Sequence, residues 1–165
     1  MATSNSLHSS SAATSGNNYK RLVADYLVGR FDSRGIQVYL EVQLGKSIIG
    51  KDRKIDILCV SMKGGKAFAI ECKFQESQGT ADEKIPYALQ DIEAMHVAGC
   101  IAYAGSGFSA GVLHMLNASR FAVHCLPTAG QRKMTSETKE LDQLLAMHFG
   151  WWDEIIGAKP RHVVD

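Results

Sequence analysis

The sequence predicts an α/β fold in which helices flank a mixed central β-sheet. Segments with the apolar period of a helix alternate with short apolar strands, as in α/β proteins. The chain has 165 residues, of which 45% are hydrophobic and 21% are charged, and these values are typical of one globular domain. Residues 1–17 consist mainly of Ser, Ala, Thr and Asn, so we expect a disordered tail there and a single domain over residues 18–165.

The order of the elements follows from periodicity and turn residues. A cap at Asn17 or Asn18 opens the first helix, and Gly-rich or polar stretches separate the later elements. The predicted order is a helix over residues 18–31, a strand over 35–44, a polar loop over 45–54, two hairpin strands around Gly64-Gly65, a helix entered through residues 76–84, a strand over 100–104, a helix over 109–117, a strand over 121–126 and a helix over 137–152.

Two apolar strands around Gly64-Gly65 predict a β-hairpin with a two-residue loop. In this register Asp56 lies opposite Lys73, and Glu71 is the diagonal neighbour of Asp56 at roughly 7–8 Å. Because side chains two residues apart share a face, Glu71, Lys73 and Gln75 project together. Two carboxylates and a lysine therefore converge at the open end of the hairpin. Such a site suits Mg²⁺ or Mn²⁺ and phosphodiester hydrolysis, whereas a plain ion pair between Asp56 and Lys73 is the simpler alternative.

This pattern resembles the PD-(D/E)XK nuclease superfamily, whose core is restriction-endonuclease-like. The resemblance extends over residues 18–126, and the residues that carry it are Asp56, Glu71, Lys73 and Gln75, followed by Gly79-Thr80. It implies a magnesium- or manganese-dependent nuclease with catalytic residues at these four positions.

The resemblance also implies a set of metal ligands. Asp56 and Glu71 would bind the ion, and the backbone carbonyl of Cys72 is a further candidate ligand. Many members of the superfamily have another acidic ligand near the start of the fold. For that position this sequence offers Asp25 on the first helix or Glu41 on the following strand.

The charge distribution predicts contacts with phosphate groups. The net charge is only +1, but residues 1–66 contain ten Lys or Arg against five acidic residues. Basic residues cluster around the hairpin and include Lys63 and Lys66 near its turn. We expect nucleic-acid contacts from Lys46, Lys51, Arg53, Lys54, Thr80 and Lys84. An ordinary solvated surface with lysines along a strand edge is the alternative.

The remaining features concern location, partners and role. The four cysteines lie in apolar segments without Cys-x-x-Cys spacing, so we expect free thiols in a reducing, cytoplasmic environment. We expect a DNA endonuclease of homing or restriction type that acts on double-stranded DNA as a homodimer or higher homo-oligomer. The alternatives are a Holliday-junction or repair nuclease, and a non-catalytic nucleic-acid-binding or assembly protein with the same fold.

Overall fold

The computed structural model describes residues 16–79 and 81–164, which form a five-stranded sheet with helices on both faces. The predicted α/β fold with a mixed central sheet is confirmed. Its elements are α1 (Gly16–Phe31), a 3-10 turn (Asp32–Arg34), β1 (Ile36–Lys46), β2 (Asp52–Ser61), β3 (Ala67–Phe74), α2 (Ala81–Ala94), β4 (Gly99–Ala104), α3 (Ala110–Ala118), β5 (Ala122–His124), α4 (Lys139–Phe149) and α5 (Trp152–Ile156).

The strands lie in the sheet in the order in which they occur along the chain. β1, β2 and β3 pair antiparallel through short connections, and β3, β4 and β5 pair parallel through crossovers that contain α2 and α3. β3 is therefore the strand at which the sheet changes from antiparallel to parallel. The ends of the parallel strands and the start of α2 meet at one edge of the sheet, where ligand sites of α/β folds commonly lie.

Two apolar layers hold the helices on the sheet. On one face, α1 presents Tyr19, Val23, Leu27 and Phe31 at helical spacing, and these pack with Leu141 and Leu145 of α4. On the other face, α2 and α3 cover Ile101 and Tyr103 of β4 with Ile85, Ile92 and Leu116. The even-numbered residues of β3 belong to the first layer. Its odd-numbered residues Glu71 and Lys73 therefore face α2.

The hairpin of β2 and β3 corrects the predicted register. Ile57 pairs with Ile70 and Val60 with Ala67, and the amide of Ser61 donates to the carbonyl of Lys66. The loop thus contains four residues, 62–65, instead of two. The shift of two residues leaves every side chain on its predicted face but moves Asp56 from Lys73 towards Glu71.

Three predicted boundaries also change. α1 begins at Gly16, so the predicted caps Asn17 and Asn18 lie inside the helix. The tail predicted over residues 1–17 is therefore wrong at residues 16 and 17, and its residues 1–15 fall outside the described residues. The polar loop predicted over residues 45–54 is shorter, because β2 begins at Asp52. The last predicted helix is broken at Gly150, whose φ of 80° ends α4 in a left-handed C-cap.

The C-terminal aromatic residues separate at this break. Trp151 stacks on Phe31 and Phe149, whereas Trp152 begins α5 and is 53% exposed. All four cysteines are buried free thiols, as predicted. Within residues 16–79 and 81–164, no helix has both the length and the apolar character needed to cross a membrane.

Candidate active site

The candidate site lies where β2 and β3 separate. Their ladder ends at the pair Ile57 and Ile70, one residue before Asp56. Beyond this point the amide of Cys72 donates to the Asp56 carboxylate, with 2.9 Å between the nitrogen and Oδ2. The Asp56 side chain thus accepts the hydrogen bond that a backbone carbonyl of β2 would accept in a regular ladder. The other lone pairs of the carboxylate can bind a ligand.

The carboxyl groups of Asp56 and Glu71 are neighbours in this gap. Burial raises the pKa of Glu71 to about 8, the negative charge of Asp56 contributes in the same direction, and Lys73 opposes both effects. The Nζ of Lys73 lies 3.9 Å from Oε2 of Glu71. The site therefore concentrates negative charge in a half-buried place with one lysine beside it.

The backbone carbonyl of Cys72 points into the same gap. The amides of Ala69 and Gln75 donate towards β4, to the carbonyls of Ala98 and Ala104. Backbone groups of successive strand residues point to alternate sides, and the N–H and C=O of one residue point together. The carbonyl of Cys72 consequently faces β2, as its amide does.

These donors fit a hard divalent cation. Mg²⁺ is typically bound by one or two carboxylates together with waters, and a cation would relieve the repulsion that raises the pKa of Glu71. The described residues contain no group of three or more His, Cys, Asp or Glu side chains arranged to hold a metal ion. The available ligand set is therefore Asp56, Glu71 and the Cys72 carbonyl.

The two predicted candidates for a third acidic ligand have different positions. Asp25 is exposed on α1 and lines another cavity with Gly29 and Arg132, so the structure does not bring it to the site. Glu41 lies beside Asp56 in the sheet, because its neighbours Leu40 and Val42 pair with Ile57 and Ile55. Glu41 has a positive φ of 55°, which is unusual for a residue other than glycine.

The Glu41 carboxylate is bound by a lysine that the sequence analysis did not single out. Nζ of Lys20 lies 2.7 Å from Oε1 of Glu41, and this hydrogen bond lowers the pKa of Glu41. Lys20 is 7% exposed on the inner face of α1, and Asp56 is among the charges that raise its pKa after Glu41. The sequence did contain a signal for this ion pair. Lys20 lies within the apolar stripe of α1, and a buried ammonium group requires an acidic partner.

Gln75, which the alternation predicted to project with Glu71 and Lys73, is held by the start of α2 and by the loop after β4. Its Nε2 donates to the carbonyl of Gly107 at 2.8 Å and to Oδ1 of Asp82 at 3.2 Å. An added Cβ at Gly105 would lie 2.2 Å from the carbonyl oxygen of Gln75, so glycine is required for this approach. Gln75 thus braces the loops that follow β3 and β4 against the start of α2.

A cavity of about 300 Å³ opens between the β1–β2 hairpin, β3 and α2, and we refer to it as the α2 cavity. Its wall combines the polar residues of the site with basic residues and one aromatic ring. The lining residues are Ser47, Lys51, Asp52, Arg53, Lys54, Glu71, Lys73, Lys84, Tyr87, Ala88 and Asp91. The chemistry expected at Glu71 and Lys73 therefore faces a basic recess.

The predicted phosphate-binding residues fall into two groups. Lys51, Lys54 and Lys84 line the α2 cavity, which agrees with their predicted position near the site. Arg53 also lines the cavity but forms a two-point ion pair with Asp91, and Lys46 pairs with Asp52. Nζ of Lys54 lies 3.8 Å from Oε1 of Glu41.

Three further residues named in the sequence analysis, Lys63, Lys66 and Thr80, have different outcomes. Lys63 and Lys66 belong to the turn end of the hairpin, away from Asp56, and Nζ of Lys66 donates to the carbonyl of His148. They lie at the turn of the hairpin, as predicted, but not next to the candidate site. Thr80 lies outside the described residues.

Two residues of the cavity escaped the sequence analysis. Asp91 accepts hydrogen bonds from Arg53 and from the amide of Ile48, so it ties the β1–β2 hairpin to α2. Tyr87 is a large exposed residue on the same helix. The spacing of Lys84, Tyr87 and Asp91 places all three on one face of α2, but only the tertiary fold sets this face against β2.

Comparisons with known proteins bear on the family. A family model described as a PD-(D/E)XK nuclease superfamily domain matches residues 15–152. No curated protein matches the sequence significantly. A crystal structure described as a protein of unknown function, AF1548, is similar with 14% identity and a TM-score of 0.39 over 59% of this chain. The chain covers 53% of that structure's length, or about half.

Proposed function

Because this chain belongs to the PD-(D/E)XK nuclease superfamily, we propose that it is a metal-dependent DNA endonuclease that hydrolyses phosphodiester bonds. The observation that carries the proposal is the meeting of Asp56, Glu71 and Lys73 at the gap between β2 and β3, beside a basic cavity. Family membership supports nuclease chemistry in general. The metal and the DNA substrate are inferred from the donor set and the surrounding charge.

The ion would be Mg²⁺ or Mn²⁺, held by Asp56, Glu71 and the carbonyl of Cys72. When bound, it would polarise the scissile phosphate and lower the pKa of the attacking water. The amide of Cys72 fixes the orientation of Asp56 through its hydrogen bond to Oδ2. Two carboxylates held close together are then available to one cation without a change of backbone.

Lys73 is the catalytic lysine of the proposal. Its ammonium group lies on the same face as Glu71 and close to the Glu71 carboxylate. From there it would orient the attacking water or offset charge that develops on the phosphate. Lys51, Lys54 and Lys84 would hold neighbouring phosphates of the same strand, since all three line the cavity.

We further propose that the enzyme acts as a homodimer or higher homo-oligomer, because one chain carries one site and a DNA duplex has two strands. We propose that its biological role is that of a homing or restriction endonuclease. The alternative is a Holliday-junction or repair nuclease. Sequencing the ends that the enzyme produces from a random DNA pool would distinguish them. A fixed symmetric site favours the first pair, and branch-dependent cutting without a fixed site favours the second.

The direct test is cleavage of supercoiled plasmid with Mg²⁺, with Mn²⁺ and with EDTA. Lys73→Ala should slow cleavage at least about 100-fold, which is the usual loss for one group that stabilises the transition state. Lys66→Ala is the matched control, because Lys66 lies at the other end of the same hairpin, and it should cleave within about twofold of the wild type.

A non-catalytic nucleic-acid-binding protein with the same fold is the competing function. The basic cavity favours it as much as it favours an enzyme. DNA binding without metal-dependent cleavage in any of the three conditions would support this alternative and overturn the nuclease proposal, as would cleavage that Lys73→Ala leaves unchanged.

A further inference from the structure

The α2 cavity contains a feature that phosphodiester hydrolysis does not need, the exposed ring of Tyr87. Tyr87 is 37% exposed and lines the cavity in which Glu71 and Lys73 lie. Within the part of the chain that the structure describes, the Tyr87 hydroxyl has no hydrogen-bond partner. A large aromatic ring left uncovered in a polar recess offers a flat apolar surface to a ligand.

The charges around this ring are suited to a nucleotide. Lys84 precedes Tyr87 by three residues on α2, so the two side chains are neighbours on the helix surface. Lys51 approaches the cavity from the β1–β2 hairpin. Across residues 16–79 and 81–164, neither lysine has an ion-pair partner, whereas Arg53 in the same wall is held by Asp91.

The size of the cavity limits what can enter. Its volume of about 300 Å³ lies at the lower end of the range for small-ligand sites. One base with its phosphate fits this scale, but a base pair within a duplex stack does not. A base reaches such a recess only when it is unpaired, or when it leaves the stack at the cost of its pairing and stacking energy.

We propose that the α2 cavity is a subsite for one unpaired base next to the scissile phosphate, stacked on Tyr87, with the adjoining phosphates held by Lys51 and Lys84. The inference rests on the proposed function and narrows its substrate class to DNA that is unpaired at the cleavage point. A single-stranded or branched segment satisfies this requirement directly. Continuous duplex satisfies it only after one base has turned out.

Binding measured in EDTA tests the subsite without requiring cleavage. The probe is a single-stranded DNA 15-mer with a central 2-aminopurine and a fluorescein at one end, compared with the same strand in a perfect duplex. Fluorescence anisotropy gives the dissociation constant. Quenching of 2-aminopurine reports stacking of that base on an aromatic ring. We expect the wild type to prefer the single strand and to quench the probe.

Four variants separate stacking from other effects. Tyr87→Ala and Tyr87→Leu should each weaken single-strand binding about 5- to 100-fold and abolish quenching, since stacking of one base on an aromatic side chain changes the affinity by about this factor. Tyr87→Phe keeps the ring and should bind within about twofold of the wild type. Tyr39→Ala removes another exposed tyrosine, on β1, and should change nothing. Circular dichroism checks the fold, and Tyr87→Leu provides the test if Tyr87→Ala unfolds.

Several results would overturn the subsite. These are equal binding of single strand and duplex by the wild type, unchanged binding by both non-aromatic variants, and an equal loss in Tyr39→Ala. Tighter binding of an RNA strand of the same sequence would overturn the assignment to DNA. The plasmid test stays independent. If cleavage needs Lys73 but binding does not depend on Tyr87, only the subsite proposal is overturned. If binding depends on Tyr87 but no metal-dependent cleavage occurs, only the nuclease proposal is overturned.

Discussion

The two faces of the sheet use charged residues in opposite ways. On the face covered by α1 and α4, the Asp142 side chain is 3% exposed and accepts hydrogen bonds from Tyr26 and from Arg30, which also binds Glu154. On the face covered by α2, Asp56 and Glu71 lie next to each other, with Lys73 beside Glu71. The buried carboxylate of Asp142 is thus matched by an opposite charge, whereas the pair Asp56 and Glu71 brings two like charges together, although Arg53 and Asp91 form an ion pair elsewhere on that face.

This difference separates stability from function within one sheet. A buried carboxylate with several donors is costly to disturb, because its partners would be left without a counter-charge. Two adjacent carboxylates disfavour the folded state when both are charged, so the protein gives up stability at that point. The predictions below test this contrast through the free energy of unfolding, from the largest expected change to the smallest.

The largest change should follow from Asp142→Ala. Removing this carboxylate leaves the Arg30 guanidinium half-buried and the Tyr26 hydroxyl with fewer partners, so we expect a loss of about 3–5 kcal/mol. Urea unfolding followed by circular dichroism measures it. Asp153→Ala is the control, because its side chain is 70% exposed and pairs with Arg34 at the surface, so the loss should be much smaller than for Asp142→Ala. Equal losses in the two variants would contradict the prediction.

A smaller loss should follow from Asp91→Ala on the other face. The Arg53 and Asp91 side chains are 10% and 15% exposed, and Asp91 also accepts from the amide of Ile48. We expect about 1–3 kcal/mol, together with weaker attachment of the β1–β2 hairpin to α2. Hydrogen exchange at the amide of Ile48 should become faster. Asp52→Ala, which breaks only the exposed pair with Lys46, should change neither measurement.

Glu71→Gln should stabilise the metal-free protein at high pH. Burial raises the pKa of Glu71 to about 8 in the folded state, whereas in the unfolded chain its pKa returns to the ordinary glutamate value of 4.5. Between these values the folded state holds more protons, so the contribution of Glu71 to stability falls as the pH rises. Glu71→Gln removes this loss and should gain about 1–3 kcal/mol at pH 8 in EDTA, with almost no gain at pH 4.

The measurement is urea unfolding at several pH values from about 4 to about 9, a range that includes both the unfolded and the folded pKa of Glu71. The free energy of unfolding of Glu71→Gln should exceed that of the wild type by a margin that grows as the pH rises from 4.5 to about 8. Glu76→Gln, at an exposed glutamate just beyond β3, provides the control and should run parallel to the wild type. A Glu71→Gln curve parallel to the wild type would show that the fold does not raise the pKa of Glu71, and would contradict the prediction.

The smallest change in stability should come from Lys84→Ala. Lys84 is exposed, so its loss should alter the free energy of unfolding by less than about 0.5 kcal/mol. DNA binding should nevertheless weaken, and the slope of log K against log salt should decrease by about 1, because one phosphate contact is lost. Lys63→Ala, at the turn end of the hairpin, should leave the slope unchanged. A slope that responds equally to both lysines would indicate diffuse attraction instead of a contact in the cavity.

The faces of the hairpin residues could be predicted from the sequence, but their register could not. Alternation fixes which side chains share a face, and an error of two residues preserves it, so Glu71 and Lys73 were correctly placed together. The register depends on loop length. The pair Gly64-Gly65 indicated two residues because it matches a tight turn, whereas the chain uses four.

The rest of the site depends on contacts between distant segments. Alternation places Gln75 on the face of Glu71 and Lys73, but the hydrogen bonds of its amide to Gly107 and Asp82 are visible in no local sequence pattern. The same holds for Tyr87, which reaches the cavity only because α2 packs beside β2. The apolar periodicity likewise predicted one helix across Gly150, because a single glycine does not interrupt the apolar pattern of the sequence. In the structure the positive φ of Gly150 ends the helix.

The unusual backbone of Glu41 has a consequence for how molecules of this protein meet. β1 is the outermost strand on its side of the sheet, and a long regular edge invites a strand from a neighbouring molecule to add on. The positive φ at Glu41 and the register shift between Gln43 and Lys46 interrupt the row of edge amides and carbonyls. The ion pair with Lys20 anchors that kink to α1. The residue that neighbours Asp56 therefore also makes the β1 edge irregular, which disfavours the addition of a strand from another molecule.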